Sequence, residues 1–186
     1  MSRKLVANLF ASVDGVASDP YLFQHDSFDD DLARFMTEGI GRIDANVLGR
    51  VSYEEWSGYW PNITEGEDVS FADFINGTPK YVASRTLTAD DMTWNDSHLI
   101  TGDLVEFVRK LKSRPGGDIA VQGSLSVVRQ LVAANLMDEL TLVVHPAIAG
   151  TGRRLFDGSQ AQRLGLVNVE RTTKGNVLVT YGPYGG

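Results

Sequence analysis

Three turns in this chain set a glycine, a hydroxyl or an arginine directly behind an apolar run of strand character. Ala45-Asn46-Val47-Leu48 leads into Gly49-Arg50-Val51-Ser52-Tyr53-Glu54, Lys80–Ala83 into Ser84-Arg85, and residues 118–121 into Gln122-Gly123-Ser124. Such turns suit phosphate capture. A glycine lets the backbone approach a ligand, a helix starting there presents free N–H groups and the positive end of its dipole, and a guanidinium forks onto phosphate oxygens. The same residues also suit plain helix starts: Ser52 can cap with Glu54 reaching back, and Ser124 fits an N-cap. Both uses draw on the same N–H groups.

Two carboxylates complete the candidate set. Asp14, in Ser12-Val13-Asp14-Gly15-Val16, lies just past the first strand, where Asp-Gly makes a turn and where open α/β sheets bind ligands. Asp31 ends the run Asp29-Asp30-Asp31 at the start of a helical pattern; it either complements the helix N-terminus or faces a substrate as an acid. As a proton donor it needs burial that raises its pKa. Tyr53, Trp56, Tyr59 and Trp60 fit a core or interface better than a ring-stacking platform.

The elements that must hold these residues alternate between strand and helix patterns, which predicts an α/β fold with a largely parallel sheet finished by antiparallel strands. Strands are expected at 4–10, 45–48, 80–83, 97–100, 118–121, 140–145, 164–171 and 176–181. Helices are expected at 29–40, from 50 through Trp56, at 103–112 and at 124–135. Thr172-Thr173-Lys174-Gly175 carries a hairpin signal. Residues 57–78 lack a pattern and read as a surface excursion beside the pocket. The whole chain, 1–186, reads as one domain.

Composition narrows the function classes. The 186 residues carry 42% hydrophobic and 22% charged side chains and a net charge of -7, a balance typical of a soluble globular domain. There is no basic stripe for nucleic acid and no apolar run of the roughly 20 residues a membrane span needs. The short apolar stretch after Met1-Ser2-Arg3-Lys4 is broken by Asn8 and reads as a strand, so a cytoplasmic location is expected, and the three N-x-S/T triplets read as chance. Absence of cysteine excludes disulfides and thiolate metal sites. His25, His98 and His145 are too far apart in sequence to suggest a metal centre. Neither a P-loop nor a nucleophile elbow occurs, and Gly150-Thr151-Gly152 lacks the third glycine and following helix of a dinucleotide fingerprint.

Taken together, these motifs resemble the dihydrofolate reductase-like superfamily, most closely the reductase domain of bacterial riboflavin biosynthesis. Gly49 to Glu54 is similar to that superfamily's Gly-Arg-x-Thr-Trp-Glu turn, Asp31-Leu32-Ala33-Arg34-Phe35 to its first helix, and Val121-Gln122-Gly123-Ser124 to its Gly-Gly turn with serine second. Ser12-x-Asp14-Gly15, Asp138-Glu139 and Pro146-x-x-x-Gly150-x-Gly152-x-x-Leu155-Phe156 resemble the riboflavin branch.

The resemblance implies an NADPH-dependent reductase of a small heterocyclic or carbonyl/imine substrate, pterin-like or riboflavin-precursor-like, working as a homodimer. It implies cofactor contacts from Val13, Ala17, Gly49, Arg50, Ser52, Ser84, Arg85, Thr101, Gly123, Ser124 and Leu125, with Asp31 and Asp14 as catalytic carboxylates. The zinc deaminase domain that precedes the reductase in the bifunctional riboflavin enzyme has no counterpart here. Two other readings stay open: a nucleotide-binding module without turnover, and a flavin- or phosphosugar-binding enzyme using the same turns.

Overall fold

Apolar, often β-branched runs bounded by turn residues form the centre of the molecule, whose computed structural model describes residues 3–185. Eight strands, β1 (Leu5–Ser12), β2 (Ile43–Gly49), β3 (Lys80–Ala83), β4 (Ser97–Leu99), β5 (Asp118–Gln122), β6 (Glu139–His145), β7 (Leu164–Arg171) and β8 (Val177–Pro183), form one sheet in the order β4-β3-β2-β5-β1-β6-β8-β7. The first six in that order run parallel, and β8 and β7 are antiparallel additions. Five helices accompany them: α1 (Asp30–Ile40), α2 (Arg50–Tyr59), α3 (Val69–Gly77), α4 (Leu104–Lys112) and α5 (Leu125–Ala133). No helix among the described residues is long and apolar enough to cross a membrane.

Central parallel strands are covered on both faces, so they read as continuous apolar runs rather than alternating ones. One core joins Leu5, Ala7 and Leu9 of β1, Val47 of β2 and Ile119 of β5 to Val108 and Leu111 of α4 and Leu125, Val128 and Leu131 of α5. α1 covers another part of the sheet, setting Leu32 against Val143 and Leu178 with Phe10, Phe35 and Met36 alongside.

The expected α/β architecture is present with strand and helix ends moved by a few residues. β1 runs on to Ser12, while Asp29 and Asp103 stand outside their helices as N-caps, accepting from the N–H of Leu32 at 3.0 Å and of Glu106 at 2.9 Å. The larger correction concerns residues 57–78. They are not a surface excursion throughout: they include α3, whose Ala72 and Ile75 are fully buried, Ile75 against Leu48, Tyr53, Val82 and Trp94. This nine-residue helix, Val-Ser-Phe-Ala-Asp-Phe-Ile-Asn-Gly, has one strong helix former, Ala72, and forms because its neighbours hold it. Lys80, itself fully buried, donates from Nζ to the carbonyls of Ile75 and Thr78 at 2.7 Å and lies 4.7 Å from the Trp94 ring. It puts a cation at the negative end of α3, and burial pushes its pKa down to about 8.

Candidate cofactor and substrate site

Strand order decides which turns are neighbours. In the parallel part of the sheet the carboxyl ends share one edge, and Gly49 at the end of β2 is in register with Ala83 at the end of β3. Ser84-Arg85 therefore lies beside Gly49-Arg50. Thr101 falls next along, two residues past Leu99, which pairs with Val82. On the other side of β2, β5 ends in Gln122, paired with Leu48, and passes into Gly123-Ser124. Thus Thr101, Ser84, Arg85, Gly49, Arg50, Ser52, Gly123, Ser124 and Leu125 stand along four consecutive strand ends.

The β2 and β5 turns are packed turn against turn. A Cβ at Gly49 would run into Ser124 Oγ, and one at Gly123 would lie 3.3 Å from both Ser52 Oγ and a ring carbon of Trp56. Gly123 also has φ +67°, a left-handed conformation that disfavours other residues. Both glycines thus keep backbone where side chains would stand. α2 and α5 begin at these turns, and neither N-cap, Gly49 nor Ser124, makes a side-chain capping bond. The first N–H groups of each helix have no partner within the helix and point out of its end. Ser52 is nearly buried, with its hydroxyl close to Gly123, and Leu125 sends its side chain into the core, leaving only its backbone for a ligand.

The arginines differ. Arg50 pairs with Glu54 at 2.6 Å on the surface of α2, a contact of little energy that a phosphate can displace. Arg85 is exposed and has no ion-pair partner among the described residues. Ser84 Oγ accepts from the N–H of Thr86 and of Leu87, which shapes the turn that presents Arg85.

Beyond β5 the edge changes in kind. Asp14 accepts from Ser12 Oγ at 2.6 Å and from the N–H of Ala149 and of Gly150 at 2.9 Å, and these donors hold its pKa down at about 2. It braces the loop after β1 against the loop after β6, with Val13 N–H bonded to the Ala147 carbonyl and Ala17 N–H to that of Arg153. Asp31 reaches the β7–β8 turn, accepting from Thr173 Oγ1 at 2.7 Å and its N–H at 3.0 Å, and also from Arg34 at 2.9 Å. The Thr173 bonds, then Arg34, hold it below the usual carboxylate range. Proton donation calls for the opposite shift, so both carboxylates stand here as ionised acceptors. Val13 is exposed, and Ala17 is half-buried against the core.

The model of the RibD C-terminal domain family matches residues 3–178. The chain belongs to that family. It is 33% identical over 147 residues to the uncharacterized protein YyaP of Bacillus subtilis, covering 78% of this chain and 77% of the relative. To YwjB of the same organism, also uncharacterized, it is 23% identical over 160 residues, 84% of each chain. Among solved structures it superposes on a pyrimidine reductase-like protein of Corynebacterium diphtheriae with TM-score 0.67 at 17% identity, over 97% of this chain and 91% of that one. The deaminase/5-amino-6-(5-phosphoribosylamino)uracil reductase of Thermotoga maritima gives 0.67 at 14% identity, 98% of this chain on 57% of that longer one. Dihydrofolate reductase of Enterococcus faecalis, complexed with NADP(H), gives 0.59 at 16% identity over 99% of both chains. The fold is therefore dihydrofolate reductase-like.

This RibD C-terminal domain also contains a polar cluster that sequence reasoning did not find. His145, at the end of β6 and fully buried, contacts Ser27 Oγ through Nδ1 at 2.6 Å, and Asn176 donates to the Ser27 carbonyl at 2.6 Å. Phe10 and Phe23 pack against the imidazole, and burial lowers its pKa, which keeps it neutral near pH 7. Together with Lys174, whose N–H bonds Asp29 at 2.7 Å, these residues tie the loop before α1 to the hairpin. Ser27, His145 and Asn176 are separated by more than a hundred residues in part, and no local pattern joins them. The buried position of His145 at the end of an apolar strand was the one available signal.

Proposed function

We propose that this RibD C-terminal domain is an NADPH-dependent reductase acting on an electron-poor carbon, C=N or C=O, of a small heterocycle. The observation that carries it is the pair of uncapped helix starts, α2 and α5, packed through Gly49 and Gly123 beside Arg50 and Arg85. That is a cradle for two phosphates, and family membership makes a nicotinamide dinucleotide the ligand to try. The backbone N–H groups of α2 and α5 would hold the pyrophosphate, and Arg85, with Arg50 once released from Glu54, the 2′-phosphate. When bound, the cofactor supplies the hydride for the carbon. The protein's part is orientation and two fixed negative charges, Asp14 and Asp31, and the proton for the adjoining nitrogen or oxygen comes from solvent.

The edge strand β7 supports self-association. It pairs on one side only, with β8, and Leu166, Val167 and Val169 are each more than half exposed. A second copy is the natural cover for such an edge; light scattering should show a dimer that Val169→Lys dissociates. The test of the main reading is a titration with NADPH followed by tryptophan fluorescence. Trp56 sits under the Gly123 turn, so quenching is expected. No response to NADPH alongside a response to a flavin would overturn the reading. The ionised state of Asp14 and Asp31 favours a second reading, a dinucleotide-binding module without turnover. Tight NADPH binding with no oxidation against pterins, pyrimidine ribosylamines and simple carbonyls would select it.

A further inference from the structure

His145 closes β6 at the sheet's carboxyl edge, fully buried and paired with Ser12 of β1. The antiparallel pairing of β6 with β8 ends at Val144 and Val177, so Asn176 stands one register step further, across from His145. Ser27, from the loop before α1, meets both. Its Oγ lies 2.6 Å from His145 Nδ1 and 2.5 Å from the Gln24 carbonyl, and its own carbonyl accepts from Asn176 Nδ2 at 2.6 Å.

The hydrogens at Ser27 fix the state of the ring. A serine hydroxyl carries one. The Gln24 carbonyl has none to offer, so the 2.5 Å contact takes the hydroxyl's. The 2.6 Å contact with Nδ1 then takes its hydrogen from the ring, which puts it on Nδ1. The far side of the ring agrees. Asn176 spends its N–H groups on the Ser27 carbonyl and on Thr172 Oγ1 at 2.9 Å, which leaves Oδ1 as an acceptor. A hydrogen on Nε2 would find that acceptor across the register, yet both atoms are buried without a partner. A ring protonated on both nitrogens is opposed by burial between Phe10 and Phe23, with Asp29 the charged group acting the other way.

From Ser27 and Asn176 the bonds run on to the site. Asp29 caps α1 and takes the Lys174 N–H, and Asp31 takes the N–H and Oγ1 of Thr173. Both sides of the Asp31–Thr173 contact, the start of α1 and the β7–β8 turn, are therefore pinned beside His145.

We propose that His145 is a positioning residue of this site: a neutral imidazole with its hydrogen on Nδ1, which donates to Ser27 and so fixes where Asp31 stands. The state of the ring and its hold on α1 stand without the reductase reading; that the carboxylate so held faces a substrate rests on it.

Nitrogen NMR of the wild-type imidazole near pH 7 is expected to show Nδ1 protonated and Nε2 bare. Two variants then separate the nitrogens, since asparagine keeps an N–H at the Nδ1 position and glutamine keeps one at the Nε2 position. Followed by carboxyl-carbon NMR, Asp31 should titrate below the usual carboxylate range in wild type and in His145→Asn, and return toward it in His145→Gln. Ser27→Ala is a milder change that leaves the buried ring in place. It removes the acceptor of Nδ1 and should move the hydrogen to Nε2, with Asp31 again returning toward its usual range. An Nε2–H ring in wild type overturns the proposal, as does an Asp31 titration that fails to separate the variants in that direction. The fluorescence titration with NADPH reads the α2 and α5 turns instead, so its failure removes the reductase reading and leaves the His145 result intact.

Discussion

Two kinds of helix start follow the ends of the parallel strands. α1 and α4 are closed by carboxylates, Asp29 on the N–H of Leu32 and Asp103 on that of Glu106. α2 and α5 begin at Gly49 and Ser124 with no side-chain cap. A capping aspartate stabilises its helix by roughly 1 kcal/mol, so omitting it at two adjacent turns forgoes stability where an anion would otherwise be repelled. α3 also starts without a side-chain cap, at Asp68. Under the proposed function it is therefore the packing of α2 and α5 through Gly49 and Gly123, not the missing cap alone, that marks those two starts for a ligand.

The most direct way to break that contrast is to close an open start. Ser124→Asp places a carboxylate at the N-cap of α5, whose backbone there is already extended. It should lower NADPH affinity about a hundredfold, near 2.7 kcal/mol, while stability in urea stays within about 1 kcal/mol of wild type. Unchanged affinity would show that the turn holds no phosphate.

The close packing of the two open turns is tested next. Gly49→Ala drives a methyl group toward Ser124 Oγ and should cost about 1–3 kcal/mol in urea unfolding. Adding Ser124→Gly removes the obstructing hydroxymethyl group and should recover most of that loss; an equal loss in the double variant would mean the turns do not touch.

Arg85→Ala should weaken NADPH about tenfold, or 1.4 kcal/mol, and leave NADH unchanged. Equal weakening of both would remove Arg85 from the 2′-phosphate.

The smallest effect is on the acidic side. Asp14 has a pKa near 2 in the folded protein against an ordinary 3.8. Its contribution to stability is therefore fully present above about 3.8 and fades as pH falls toward 2. The melting-temperature advantage of wild type over Asp14→Asn should be constant at neutral pH and shrink through that window. A difference independent of pH would mean that the Ser12, Ala149 and Gly150 bonds do not act on the charge.

Much of this was legible in the residues. Strand runs such as 140–145 and the amphipathic spacing of Leu104, Val108 and Leu111 report burial directly, because periodicity is imposed by which face meets the core. The three strand-end turns were legible for the same reason: glycine and arginine at those positions are local choices. α3 was not, since its helix is specified by Lys80, Trp94 and the core beside it rather than by its own nine residues. Nor was the state of the two catalytic candidates. Nothing around Asp31 in sequence announces Thr173, and nothing near Asp14 announces Ala149 and Gly150, yet these donors are what hold both carboxyls ionised.

The sequence by itself determined the α/β alternation and the strand-end turns, because composition and short-range spacing carry that information within a few residues. Only the tertiary structure decided that Gly49 abuts Ser124 and Gly123 abuts Ser52, that the starts of α2 and α5 stay open while those of α1 and α4 are closed, and that His145 is sealed against Ser27. Those facts depend on strand order, which brings together residues far apart in the chain.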